Sequence, residues 1–299
     1  MNLRNIFIEI RLLILKSFSS IIKKIFNNKV PKYMAKLLTK VEHNIFFIKR
    51  NKNKSHLANI DDYNSHIINQ LELNGYYVLK NYWSKEACEK VIIEINKFIE
   101  KYPKYVNSNC LSDERFFGAE NCSDFINNYF KDRNINEIAN RFNGQKTILT
   151  FTLAAKMNFK IGNKGSGEGW HRDGFHRQFK SMLYLTDVNM DNGPFELILN
   201  SQKINSQLSD MKSANLKFNQ YRLSDEEIKK ILHKNKHRKK SFCAEAGSLI
   251  LFDTSTLHRG APIKRGCRYA LTNYFYREEQ VSKELFEKFN VFPKKKKIY

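Results

Sequence analysis

The N-terminal stretch carries apolar residues at Ile6, Phe7, Ile10, Leu13, Ile14, Phe18, Ile21, Ile25 and Phe26. Steps of three and four place them on one face of a helix. Lys16, Ser19, Ser20, Lys23 and Lys24 fall mostly elsewhere on the wheel. A second helix is expected around residues 30–50, and 51–56 (Asn-Lys-Asn-Lys-Ser-His) read as a linker. From about residue 60 the pattern predicts a helix over 61–74 ended by Gly75, a short strand at Tyr76–Leu79, and a helix over 85–101 capped by Ser84. Residues 103–125 look irregular, and one helix is expected over 124–141. Beyond it the period changes to that of strands, at Thr147–Phe159, Gln178–Asp187, Phe195–Leu199, Ser248–Asp253 and Tyr269–Tyr276. Helices followed by a run of strands suit a helix-buttressed sandwich or barrel.

Residues 200–245 interrupt the strands. Ser224 and Glu227 form a candidate capping box for a helix over 225–234. The basic run His237-Arg238-Lys239-Lys240 reads as a solvated loop. A long insertion between barrel strands suits a lid over a site.

Composition adds a charge pattern. The 299 residues carry a formal net charge of +22, and Lys and Arg outnumber acids thirteen to two within residues 1–56. That makes the N-terminal segment a basic amphipathic helix suited to an anionic membrane surface, with packing on the protein's own core or on a second subunit as the alternative. The five cysteines contain no C-x-x-C pair, so free thiols in a reducing, cytoplasmic setting are expected. No cleavable signal is expected, because Glu9 and Arg11 interrupt the first apolar run.

The candidate chemistry sits in Trp170-His171-Arg172-Asp173. In extended chain, residues two apart share a face, so His171 and Asp173 can address one point. His258 follows at the end of a later strand. Two histidines and one carboxylate with coordination positions left open make the facial triad of non-haem Fe(II) oxygenases. Ten residues on, Arg268 offers a guanidinium fork suited to the far carboxylate of a dicarboxylic acid. The glycine-rich run 162–169 lacks the Gly-Lys-Ser/Thr ending of a phosphate loop. It reads as a flexible loop beside the metal, with Trp170 packed under it.

Together with Phe179–Val188, Asp191-Asn192-Gly193-Pro194-Phe195, Ala246–Asp253, His258-Arg259-Gly260-Ala261-Pro262 and Arg268–Thr272, these motifs resemble the phytanoyl-CoA dioxygenase family of Fe(II)/2-oxoglutarate-dependent oxygenases. The resemblance spans roughly residues 60–278. It implies a mainly β chain with flanking helices around a double-stranded β-helix (jelly roll, cupin-like). The catalytic domain would run over 57–279, with a 204–245 insertion, a basic helical extension at 1–56 and a basic tail at 280–299. It further implies Fe(II) held by His171, Asp173 and His258, 2-oxoglutarate held partly by Arg268, and O2 as the oxidant. Succinate and CO2 would be released as a C–H bond is hydroxylated in a small-molecule, lipid or glycan-type substrate. In the halogenating branch a small residue replaces the carboxylate, so Asp173 argues for hydroxylation or a related oxidation.

Strand parity adds Tyr184, Thr272 and Lys156 as polar candidates beside the 2-oxoglutarate, with plain scaffold roles as the alternative. One departure is Leu199-Asn200-Ser201-Gln202-Lys203, where the family has Pro-Gly-Ser-His-Lys, and it bears on the local turn. A non-catalytic cupin-like binding protein is the competing class. A nucleic-acid demethylase is disfavoured, because the next arginine after Arg268 is Arg277.

Overall fold

The computed structural model describes residues 3–27, 30–54, 62–108, 111–233, 235–277 and 281. Two helices, α1 (Leu3–Ile25) and α2 (Lys32–Lys54), pack on each other at the N-terminus. Helix α2 continues through 51–54, where a linker was expected, and residues 55–56 and the expected 282–299 portion of the basic tail lie outside the described residues. Helix α3 (Asp62–Asn74) stops at Gly75, whose φ of +83° takes the chain into strand β1 (Tyr76–Leu79). Ser84 then caps α4 (Lys85–Lys101), its side chain accepting the Ala87 N–H at 3.2 Å.

The helix expected over 124–141 is two helices, α5 (Asp124–Phe130) and α6 (Arg133–Asn143). Asp132 causes the break: its Oδ1 accepts the backbone N–H groups of Asn134 (3.0 Å) and Ile135 (3.1 Å), starting a new helix. The stretch expected to be irregular holds β2 (Asp113–Phe117), which pairs along the edge of β3 (Thr147–Asn158).

The remaining strands are β4 (Phe179–Tyr184), β5 (Phe195–Ile198), β6 (Lys239–Phe242), β7 (Leu249–Asp253), β8 (His258–Gly260) and β9 (Cys267–Arg277). They form a six-stranded sheet, β1-β7-β4-β9-β3-β2, facing a three-stranded sheet, β6-β5-β8, with every strand pair antiparallel. This is the expected double-stranded β-helix with flanking helices. Alternation along the strands divides the core. Phe179, Leu183, Leu251 and Leu271 face α3–α6, whereas Met182, Tyr184, Ile250 and Ala270 face the barrel interior with Phe195, Leu197 and Phe242 from the smaller sheet.

The insertion is ordered. Helices α7 (Ile204–Ser213) and α8 (Asp225–Leu232) bury Met211, Ile228 and Ile231 in a third apolar cluster with Trp170 and Leu257. Trp170 therefore packs against the insertion, and the Arg259 guanidinium lies 4.6 Å above its ring. The capping box forms as expected, with Glu227 N–H donating to Ser224 Oγ (3.2 Å) and Ser224 N–H to Glu227 Oε2 (2.8 Å). The basic run is not a solvated loop. Arg238 makes a bidentate pair with Asp210 (2.7 and 3.0 Å), and β6 carries Lys239 to the buried Glu196 carboxylate at 2.8 Å. Buried acids on neighbouring elements turn a charge run into a strand.

Candidate metal centre

Three local devices assemble the centre. The first is a backbone exchange: His171 N–H donates to His258 O (2.9 Å), and His258 N–H donates to His171 O (2.8 Å). This small antiparallel bridge sets the two rings 4.5 Å apart, centre to centre. The second is the turn after β7. The Asp253 Oδ1 accepts Ser255 N–H (2.9 Å) and Ser255 Oγ–H (2.7 Å), while Leu257 N–H donates to Ser201 Oγ (2.7 Å). These bonds fix the path into His258. Ser201 follows Asn200, whose φ of +63° occupies the left-handed region. Asparagine tolerates that region better than most other non-glycine side chains, so Asn200 can stand at this turn.

The third device is the glycine-rich loop. Gly167 has φ +78°, and a Cβ there would come within 2.4 Å of the His171 ring. Gly165 is equally tight, with a Cβ position 2.0 Å from Gly260 O. Only glycine lets the loop press against both the first histidine and β8.

Both imidazoles are orientated by their backbones. His171 Nδ1 lies 2.9 Å from Gly169 O, and His258 Nδ1 lies 2.9 Å from Thr256 O. A proton on each Nδ1 satisfies those carbonyls and leaves each Nε2 lone pair free for a metal. Asp173 is anchored by its N–H to Thr254 O at 3.0 Å. Its Oδ1 lies 3.8 Å from His171 Nε2. One donor atom from each of His171, Asp173 and His258 lies within 4.8 Å of the others, the only such group of three or more His, Cys, Asp or Glu among the described residues.

The protonation states suit ligation. Burial, reinforced by repulsion from His171, pushes His258 down to about 3, and burial also lowers His171. Both rings are therefore neutral near pH 7. Burial works against the Asp173 charge, but the Lys180 ammonium leads the attractions that outweigh it and hold the carboxyl well below the usual range. The donor set, two neutral imidazoles and an ionised carboxylate, fits a divalent first-row metal.

Lys180 is the residue that sequence reasoning missed. Its buried Nζ lies 2.6 Å from Asp173 Oδ2 and 3.8 Å from the centre of the Tyr274 ring. Asp173 thus turns one oxygen to the histidines and the other to an ammonium. The signal in the sequence was a charged residue in the middle of a mostly apolar strand.

Arg268 is buried on β9. It donates to Gly193 O, and its Nη2 lies 3.0 Å from Met157 Sδ. Its Nε has no partner, and among the described residues no carboxylate lies within salt-bridge distance. A Cβ at Gly260, two residues after His258, would approach Nη2 to 2.8 Å, so the guanidinium sits immediately beyond the second histidine. An uncompensated buried cation at that place suits an anionic ligand.

The other candidates divide. Tyr184 lies under Arg268, 6.0 Å from ring centre to guanidinium carbon, but its hydroxyl donates to Phe242 O (3.2 Å) and accepts Phe195 N–H (2.8 Å). It ties β4 to the smaller sheet. Thr272 shares the inward parity of Arg268 and pairs with Met182. Lys156 is a correction. Its β9 partner is Tyr269, on the helix-facing side, whereas its neighbour Met157 pairs with Arg268 on the inside. Lys156 points away from the interior toward Tyr269 (5.8 Å) and Glu114 (3.9 Å).

A double-stranded β-helix with a 2-His-1-carboxylate centre defines the class of protein. The profile of the phytanoyl-CoA dioxygenase (PhyH) family matches residues 71–267, and the chain belongs to that family. No curated protein matches the chain in sequence. Among solved structures, EctD from S. alaskensis in its apoform is similar with a TM-score of 0.56 at 15% identity, covering 77% of this chain and 84% of that one. HygX from Streptomyces hygroscopicus, with nickel and 2-oxoglutarate bound, gives 0.53 at 11% identity, over 74% and 88%. The epimerase SnoN, in complex with Fe3+, alpha ketoglutarate and nogalamycin RO, gives 0.51 at 13% identity, over 71% and 83%. At such identities the likeness is one of fold.

Proposed function

We propose that this protein is a non-haem Fe(II)- and 2-oxoglutarate-dependent oxygenase that hydroxylates a C–H bond of a small-molecule substrate. The observation that carries the reading is the convergence of His171 Nε2, His258 and Asp173 Oδ1 on one point. In that place Fe(II) supplies the chemistry of O2 activation, coupled to decarboxylation of 2-oxoglutarate to succinate and CO2.

The chain's own residues do the rest. His171, Asp173 and His258 would hold the metal with three donors and leave coordination positions for co-substrate and O2. Arg268 binds the distal carboxylate of 2-oxoglutarate, which supplies the anion its buried charge lacks. Phe195 and Phe252, with ring centres 5.7 and 5.6 Å from the His258 ring, exclude water on that side. Lys180 holds the outer oxygen of Asp173, so that Oδ1 is the oxygen that would ligate the metal.

Anaerobic calorimetry tests this reading. One Fe(II) per chain should bind, and 2-oxoglutarate should bind only to the metal-loaded protein. A candidate substrate should then gain one oxygen atom for each succinate formed, by product mass. Binding of 2-oxoglutarate that ignores the metal would count against the proposal.

A further inference from the structure

The apolar face of α1 is mostly not used by the fold. Leu12 and Ser19 are buried, and Ser19 Oγ donates to Glu42 Oε1 of α2 at 2.8 Å. Phe7, Ile10, Ile14, Phe18, Ile21 and Ile25 lie on a different side of the helix and are exposed, from 38% at Phe18 to 71% at Phe7. They form one stripe about 27 Å long at the helical rise of about 1.5 Å per residue. A contiguous exposed stripe of large apolar side chains marks a contact surface.

Two occupants fit an apolar helix face: a second copy of the chain or a lipid surface. Charge separates them. Residues 1–56 carry thirteen Lys and Arg against two acids. Pairing two such hairpins face to face brings like charge together, whereas an anionic bilayer complements it. Among the described residues no helix is long and apolar enough to cross a membrane. The helix that fits lies in the plane of the interface, its apolar side sunk to the level of the acyl chains.

We infer that the exposed α1 stripe docks the protein on the surface of a bilayer containing anionic phospholipid. The hairpin is anchored to the catalytic domain through α2. Phe46 stacks on His176 with ring centres 4.9 Å apart, Arg277 lies 4.6 Å over Phe46, and Thr39 Oγ1 contacts Met211 Sδ at 3.8 Å. His176 is three residues from Asp173. Docking through α1 therefore holds the metal centre in a fixed orientation to the lipid surface.

Flotation of the full chain with vesicles tests this. The wild type should float with phosphatidylcholine vesicles containing phosphatidylglycerol and bind at least tenfold more weakly to phosphatidylcholine alone. The double variant Ile14→Glu/Ile21→Glu should lose at least tenfold in affinity for the mixed vesicles. Both positions are more than half exposed, so its circular dichroism and melting should match wild type. Sedimentation without lipid should give a monomer for both proteins. Absence of flotation with anionic vesicles would overturn the inference, as would undiminished flotation of the variant. A wild-type dimer that the double substitution dissociates would assign the stripe to a second copy instead. None of these outcomes depends on the metal centre, whose activity is measured separately.

Discussion

His171 and His258 lie 87 positions apart in the sequence, yet each donates its backbone N–H to the other's carbonyl, at 2.9 and 2.8 Å. The spacing of two of the three candidate ligands thus belongs to the main chain. The side chains need only keep their rotamers, which the Gly169 and Thr256 carbonyls ensure.

Gly167 guards that arrangement. Gly167→Ala places a Cβ in the His171 ring at a positive φ. The left-handed conformation alone costs about 1–2 kcal/mol. The variant should fold with a lowered melting temperature and bind metal at least tenfold more weakly, read by anaerobic titration. An unchanged metal affinity would show that the ring has room to move.

Arg268 should act in two opposite senses. With its buried guanidinium lacking a carboxylate, Arg268→Met should leave the ligand-free protein as stable or up to about 4 kcal/mol more stable in denaturant. The same substitution should abolish measurable 2-oxoglutarate binding while leaving metal affinity within about threefold. A variant that loses stability and keeps its 2-oxoglutarate affinity would remove Arg268 from the co-substrate site.

Lys180 should tune the metal through Asp173. Removing a group that holds a ligating carboxylate typically costs about 10–100-fold in metal affinity. Lys180→Met should show a loss of that size, with the fold retained by circular dichroism. Equal affinities in the two proteins would show that the 2.6 Å contact does not support the ligating oxygen.

Glu120 gives the fold a pH signature away from the metal. Burial pushes its carboxyl up to about 7, against the hydrogen bond it accepts from Thr152 N–H at 2.9 Å. The folded state therefore holds a proton that the unfolded state releases near pH 4.5, and stability falls as pH rises between those values. The full effect, at about 1.4 kcal/mol per pH unit, is at most about 3.5 kcal/mol. Glu120→Gln retains the acceptor and removes the charge, so it should be more stable than wild type at pH 8 and indistinguishable from it near pH 4. A melting-temperature series over that range checks the sign.

Some of this was legible in the sequence for definite reasons. His171 and Asp173 share a face by two-residue parity, and the long strands β3 and β9 are sustained runs of residues that pack well in sheets. The missed strands are short and charged. Lys239 and Lys240 become part of a strand only because Glu196 and Tyr76 wait on neighbouring elements, at 2.8 and 2.6 Å. Lys156 was misplaced because parity says which residues share a face and not which face lies inside, and buried alanines at 154 and 155 mark both sides alike. Lys180 escaped because its contact with Asp173 is made across a loop, between residues that the pattern assigns to separate elements.

The most direct test of the account is Fe(II)-dependent release of succinate from 2-oxoglutarate in air, wild type against His258→Ala. The wild type should form succinate only when Fe(II) is present, and the variant should form at least a hundredfold less at matched protein concentration. Succinate formed equally by both proteins, or by the wild type without iron, would contradict the assignment of the metal centre.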